Sequence, residues 1–254
     1  MNDQLVIFTH EVLSIKSMKT ANFLHLILLF ALLIQVRPMH AQEINSLDNR
    51  QQSLVTIAAL TAVGDIKNLK TQLNAGLDAG LTVNEIKEAL VQLYAYCGFP
   101  RSLNAINSFM QVTEERKASG INDAEGKEAT PLIDRSAAYE RGRKRLEILT
   151  QTAQAQPAPG FGEFAPRIDA FLKEHLFADI FDSDVLDYQQ RELVTISALA
   201  AMTGTEAQLQ SHIGMGMNTG ISRQQLITVF DSIENVIGDE QAEKARVVLA
   251  NYKK

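Results

Sequence analysis

The sequence has no tryptophan, one cysteine and six prolines among 254 residues, and aromatic side chains make up 6% of it. A lone cysteine, Cys97, cannot form an intramolecular disulfide, which excludes a small secreted fold held by disulfide bridges. No Cys-x-x-Cys or His-Glu-x-x-His spacing occurs, and only His175 and His212 of the five histidines lie beyond residue 41. Neither a structural nor a catalytic metal is expected, and no other cofactor. There is no excess of cations: 24 Lys and Arg stand against 30 Asp and Glu, a formal charge of −6. That balance argues against a basic nucleic-acid binder. The hydrophobic share, 46%, is that of an ordinary globular chain.

Residues 23–34 are apolar except for His25, follow Lys19, and lead to an Ala41-Gln42 junction. A membrane-spanning helix needs about 20 apolar residues, so this segment reads as a secretory leader cleaved after residue 41. Met18 is the better start for such a leader, with residues 1–17 upstream of it. Removing residues 1–41 takes away three cations and two anions and leaves a charge of −7. The expectation is an exported protein, periplasmic or secreted, with no stable membrane anchor after cleavage.

Beyond the leader the chain repeats itself. LDNRQQSLVTIAAL (47–60) matches LDYQQRELVTISAL (186–199) at 9 of 14 positions. QLNAGLDAGLTVNEI (72–86) then faces HIGMGMNTGISRQQL (212–226), one residue further out of step. Two linked windows of this kind mean two copies of one unit.

Each copy reads as helices. Leu54, Ile57, Ala58 and Thr61 recur at helical spacing; so do Ile66, Leu69, Leu73 and Leu77, then Ile86, Leu90, Leu93 and Cys97. Leu103, Ile106 and Met110 make a fourth stripe after Pro100. Gly80 and Gly220 fall where a left-handed residue ends a helix, and Thr82-x-x-Glu85 and Ser222-x-x-Gln225 read as capping boxes. No segment alternates with period two, so the fold is all-α. The boundaries are residues 42–117 for the first copy, 118–165 for a linker and 166–254 for the second. The linker carries a charged helix from Arg135 to residue 150, whose RGRKR run (141–145) reads as a solvated face, and then a Pro/Gly-rich connector. Ile168, Phe171, Leu172 and His175 continue at helical spacing into the second copy.

The pattern LVTIAAL, Gly80-Leu-Thr, Glu85-Ile-x-Glu88 and YAYCGFPRSLNAI (94–106) resembles the carboxymuconolactone decarboxylase family. YERGRKRLEIL and the stretch FGEFAPRIDAFLKEHLFADIFDSDVLDYQQRELVTI are similar to the segment that precedes the core in that family. The resemblance implies two tandem helical bundles packed as a pseudo-dimer. Because single-copy members associate in rings, it also implies a homo-oligomer, most plausibly a trimer. The family's alkylhydroperoxidase D-like branch uses a Glu, a Cys-x-x-Cys pair and a His. Glu85 stands twelve residues before Cys97 as that pattern asks, but the second cysteine is Pro100 and the histidine Asn104. In the second copy the same positions are Gln225, Ile237, Glu240 and Lys244. Without a resolving thiol a self-contained dithiol cycle is excluded, and only a one-cysteine peroxidase with an external thiol remains.

The decarboxylase branch fits the residues better. On one helix Gln92 and Tyr96 each fall within about 20° of Glu85, with Glu88 about 60° away from it. Lactone decarboxylation needs a group to hold a carboxylate, stabilisation of the dienolate left by CO2, and a proton donor. Glu85, Glu88, Cys97 and His212 are the candidate catalytic residues, with Tyr96 and Arg101 as candidates for binding a small-molecule substrate. Each has a structural alternative: Glu85 as a cap, Glu88 as a solvated residue, Cys97 as a small core residue, His212 as a satisfied buried imidazole. Two function classes follow. One is a lyase on a small carboxylated lactone or related acid, with a peroxidase as the second enzyme reading. The other is an exported helical ring without catalysis, since the second copy lacks Glu85, Cys97 and Pro100.

Overall fold

The computed structural model describes residues 46–132 and 136–253. The leader and its cleavage site lie outside the described residues. Every regular element among the described residues is helical. The first copy holds α1 (Asn49–Val63), α2 (Ile66–Asp78), α3 (Val83–Cys97) and α4 (Phe99–Ala118). The linker, extended here past residue 165 to include a π-helical stretch, holds α5 (Ala138–Thr150), the single turns α6 (Phe161–Phe164) and α7 (Pro166–Ala170), and that stretch, Phe171–Ile180. The second copy holds α8 (Tyr188–Ala201), α9 (Glu206–Asn218), α10 (Arg223–Val236) and α11 (Asp239–Asn251).

The repeats start their helices alike. Asp48 and Asp187 each accept the N–H three residues on, and Gln51 and Gln190 reach back to the cap, closing the orphan donors of α1 and α8. Thr82 with Glu85 and Ser222 with Gln225 do the same for α3 and α10. Gly80 and Gly220 precede these boxes at φ +92° and +102°, where a Cβ would strain the backbone. α1 and α8 pack side by side and are buried almost all round, as helices without a polar face must be. α10 crosses onto α1 and α3 onto α8. Each copy therefore lends its third helix to the other's first helix, and the pair is a pseudo-dimer with one shared core. Ile86, Leu90 and Leu93 are in that core together with Leu226, Phe230 and Ile233.

Two sequence expectations change. The fourth stripe does not face the core: Leu103 and Met110 are about half exposed, and Ser102, Ala105, Phe109 and Val112 point inward instead. Near its start α4 runs close to α3, with the Ser102 hydroxyl donating to the Leu90 carbonyl at 2.7 Å. The segment after Pro166 is not a plain α-helix. Its π-helical turns take more residues each, so Lys173 turns fully inward while Ile168 and Phe171 stay exposed.

The charged linker helix begins at Ala138 and is not a solvated face. Arg141 and Arg145 both pair with the buried Asp182 carboxylate, and Arg143 pairs with Glu140 and Glu147. Those pairs fix α5 to the end of the π-helical stretch. At Gly142 the two backbones touch: a Cβ there would lie 1.8 Å from the Lys173 carbonyl oxygen. Gly142→Ala should therefore cost about 3 kcal/mol, or roughly 6–12 °C in Tm. Gly80→Ala, with open space around it, should cost only about 1–2 kcal/mol for its positive φ. Thermal unfolding of both variants checks this, and an equal loss would refute the backbone clash.

Candidate functional site

Helix α8 places Arg191, Glu192 and Thr195 against α3 of the other copy. All three are fully buried. The Arg191 guanidinium donates to Gln92 Oε1 at 2.8 Å, to Glu88 Oε1 at 2.7 Å and to the Ser183 carbonyl at 2.7 Å. Its flat face lies 5.2 Å from the centre of the Phe181 ring. Gln92 answers from α3, donating to the Arg191 carbonyl and to the Thr195 hydroxyl, each at 2.9 Å. A buried cation is costly unless it is paired and hydrogen-bonded; Glu88 pairs this one and both terminal nitrogens are hydrogen-bonded, while Nε is buried without a partner.

One residue on, Glu192 Oε2 lies 2.8 Å from Nδ1 of His212 on α9. The Tyr96 ring from α3 meets the His212 ring edge-on, with centroids 5.5 Å apart. With Nδ1 held by the carboxylate, Nε2 is the nitrogen left for other partners. The Tyr96 hydroxyl and Glu192 Oε1 are buried without hydrogen-bond partners, and the Thr195 hydroxyl stands beside the phenol outside hydrogen-bond geometry. Burial first, then the nearby Glu192 charge, pushes the Tyr96 phenol well above its ordinary value. Tyr96 therefore stays neutral.

His212 lies on the wall of a cavity of about 490 Å³, within the usual range for ligand sites. The opposite walls come from the linker, with Phe161, Ile168, Leu172 and Phe177 among them. Lys173 and Asp169 also line it as a buried ion pair at 2.8 Å.

The sequence candidates divide. His212 and Tyr96 meet, and Glu88 joins them through Arg191. Glu85 lies on the same face of α3 as Tyr96, but eleven residues of helix put about 16 Å of axial rise between them. It caps Thr82 and pairs with Arg50. Arg101 donates to the Ala62 carbonyl and does not line the cavity. Cys97 is half-buried, with Sγ 3.1 Å from the Leu93 carbonyl. Burial raises its thiol pKa against the opposing charge of Arg101.

Sequence reasoning missed Arg191 and Glu192. The signal was present in the repeat: the equivalent positions in the first copy are Gln52 and Ser53. His212 likewise faces Gln72, and Tyr96 faces Val236. Those four residues, with Thr56 and Ser232, line a separate cleft of about 570 Å³. Within it the Thr56 hydroxyl donates to Gln72 Oε1 at 3.1 Å, with Gln72 standing where the other site holds the imidazole.

An all-helical pseudo-dimer with one buried acid–imidazole pair at the crossing of its copies is the class these features define. The profile of the Carboxymuconolactone decarboxylase family matches residues 32–109 and 166–251, more than half of the sequence. The chain belongs to that family, once per copy. A 4-carboxymuconolactone decarboxylase of Acinetobacter baylyi is 38% identical over 69 residues, which is 27% of this chain and 48% of that protein. An uncharacterised protein of Methanocaldococcus jannaschii is 30% identical over 70 residues, 28% of this chain and 65% of that protein. The chain thus spans less than two thirds of the length of either relative.

The state of Cys97 can be measured directly. Alkylation by iodoacetamide, followed by mass, should be slower than for a free thiol, with a rate still climbing through pH 9 because burial disfavours the thiolate. A plateau below pH 8 would mean an activated thiol.

Proposed function

We propose that the protein is a decarboxylase-like lyase that acts on a small carboxylated lactone or related carbonyl acid, with His212 as the proton donor. The observation that supports it is the 2.8 Å Glu192–His212 contact on a cavity wall. The substrate carboxylate leaves as CO2, and the electron pair of the broken C–C bond passes into the conjugated carbonyl as an enolate. The His212 imidazolium then gives its Nε2 proton to carbon, and the neutral ring regains a proton from water. Glu192 holds the ring in one orientation and offsets its positive charge, and Tyr96 is a positioning residue through its edge contact. The exposed carboxamide of Gln208, one helical turn before His212 and also on the cavity, is a donor available to the enolate oxygen. A peroxidase reading has less support, because it needs a thiolate and Cys97 is held towards the thiol.

CO2 release from a panel of β-keto acids and carboxylated lactones should exceed the uncatalysed rate for at least one compound. His212→Gln should lower kcat by about 10²–10⁴, and Glu192→Gln should lower it while leaving KM near its starting value. No turnover on any member, or full activity in His212→Gln, overturns the lyase reading.

We also propose that the mature chain is exported and assembles into a ring, a trimer in the simplest closure. Support comes from the apolar leader and from the outward stripe of α4, where Phe99, Leu103 and Met110 are exposed in a row. Protein from its natural host should begin at Gln42 by mass spectrometry and scatter light as about three chains. Leu103→Glu should scatter as a monomer. An intact leader or a monomeric parent protein would refute the corresponding half.

A further inference from the structure

The cavity beside His212 is mostly apolar. Phe161, Ile168, Leu172, Phe177 and Met215 supply most of its surface. Phe161 and Ile168 are about half exposed and so stand at its mouth. The same edge of the linker continues outward through Phe171 and through Phe164, which is 94% exposed. A solvated surface of this kind is unusual unless something apolar passes over it.

The charges of the cavity leave no cation for a second carboxylate. Among the described residues Lys173 is the one lysine or arginine on its walls, and an ammonium has three N–H donors. All three are committed: to Asp169 at 2.8 Å, to the Tyr139 hydroxyl at 2.9 Å and to the Ala155 carbonyl at 2.8 Å. Asp169 cancels its charge, and Glu192 cancels that of a protonated His212. Arg167 is nearby in sequence but stacks on Phe171 and does not line the cavity. Arg191 is committed to Glu88 and Gln92 behind the wall. A second substrate carboxylate would therefore enter this cavity without a cationic partner, which is unfavourable. His212 itself is 7% exposed, its Nδ1 is taken by Glu192, and its ring lines the cavity.

We infer that this site takes an amphipathic substrate: a lactone or carbonyl acid whose one carboxylate is the group lost, with an apolar remainder reaching along Phe177 and Leu172 to Phe161 and Ile168. The inference rests on His212 as the reacting group. It departs from a dicarboxylate substrate, which would need cations that this cavity does not offer.

Isothermal titration of the full mature chain with three probes tests it: γ-decalactone, decanoate and adipate. γ-Decalactone and decanoate should bind, and adipate should bind at least about tenfold more weakly than either. Ile168→Lys, which places a cation at the half-exposed mouth without disturbing the core, should narrow or reverse that order. Adipate binding as tightly as the lactone, or none of the three binding, overturns the substrate class. An unchanged order in folded Ile168→Lys also counts against it. The reading of His212 fails separately: His212→Gln should keep γ-decalactone affinity within about threefold while losing turnover, so retained turnover defeats that reading whatever binds.

Discussion

The two copies of the repeat meet around the guanidinium of Arg191, and much else in the molecule follows from how that cation is satisfied. It is fully buried, so its charge and its donors need partners supplied by the protein. The partners come from three places in the chain: Glu88 and Gln92 on α3, the Ser183 carbonyl before α8, and the Phe181 ring at the end of the π-helical stretch. Satisfying one side chain therefore fixes the crossing of α3 over α8 and the end of the linker together. Glu192 is the next residue, so the same constraint aims its carboxylate at His212. A hydrophobic contact could hold the helices as tightly, but it would not specify register in this way.

That constraint acts on one side of the pseudo-two-fold only. The related cleft has Gln52, Ser53 and Gln72 where the first has Arg191, Glu192 and His212. Neutral hydrogen-bonding groups replace these three ionisable ones, while the capping boxes, glycine turns and apolar stripes survive in both copies. The two copies share a scaffold and differ in chemistry. Packing tolerates the loss of the charges as a set, because a buried cation and its acceptors can be removed together with little cost, whereas removing one alone leaves the rest unpaired.

The helices were legible in the sequence because their signals are local: an oxygen at the cap, a glutamate or glutamine three residues on, a glycine at the turn. The tandem organisation was legible from self-similarity. The site was only partly so. His212 and Tyr96 could be singled out, but their meeting depends on α3 crossing into the other copy, which no spacing within either copy encodes. Arg191 and Glu192 sit on a helix buried almost all round, where apolar periodicity marks no face. Glu85 seemed to belong with Tyr96 because angle on a helical wheel ignores rise along the axis. On α4, the stripe read from Leu103 and Met110 was displaced because the core takes the neighbouring face, with Ser102, Ala105, Phe109 and Val112.

The linker adds something that two separate single-copy chains would do differently. It passes over one of the two related clefts and contributes the far wall of that cavity, and no linker residue lines the other cleft. A dimer of identical chains carries two connectors and treats its clefts alike; a fused chain has one connector between its copies and must choose. Covalent fusion therefore lets the two clefts differ: one is walled by the segment that joins the copies and holds the acid–imidazole pair, and the other carries neutral groups at those positions.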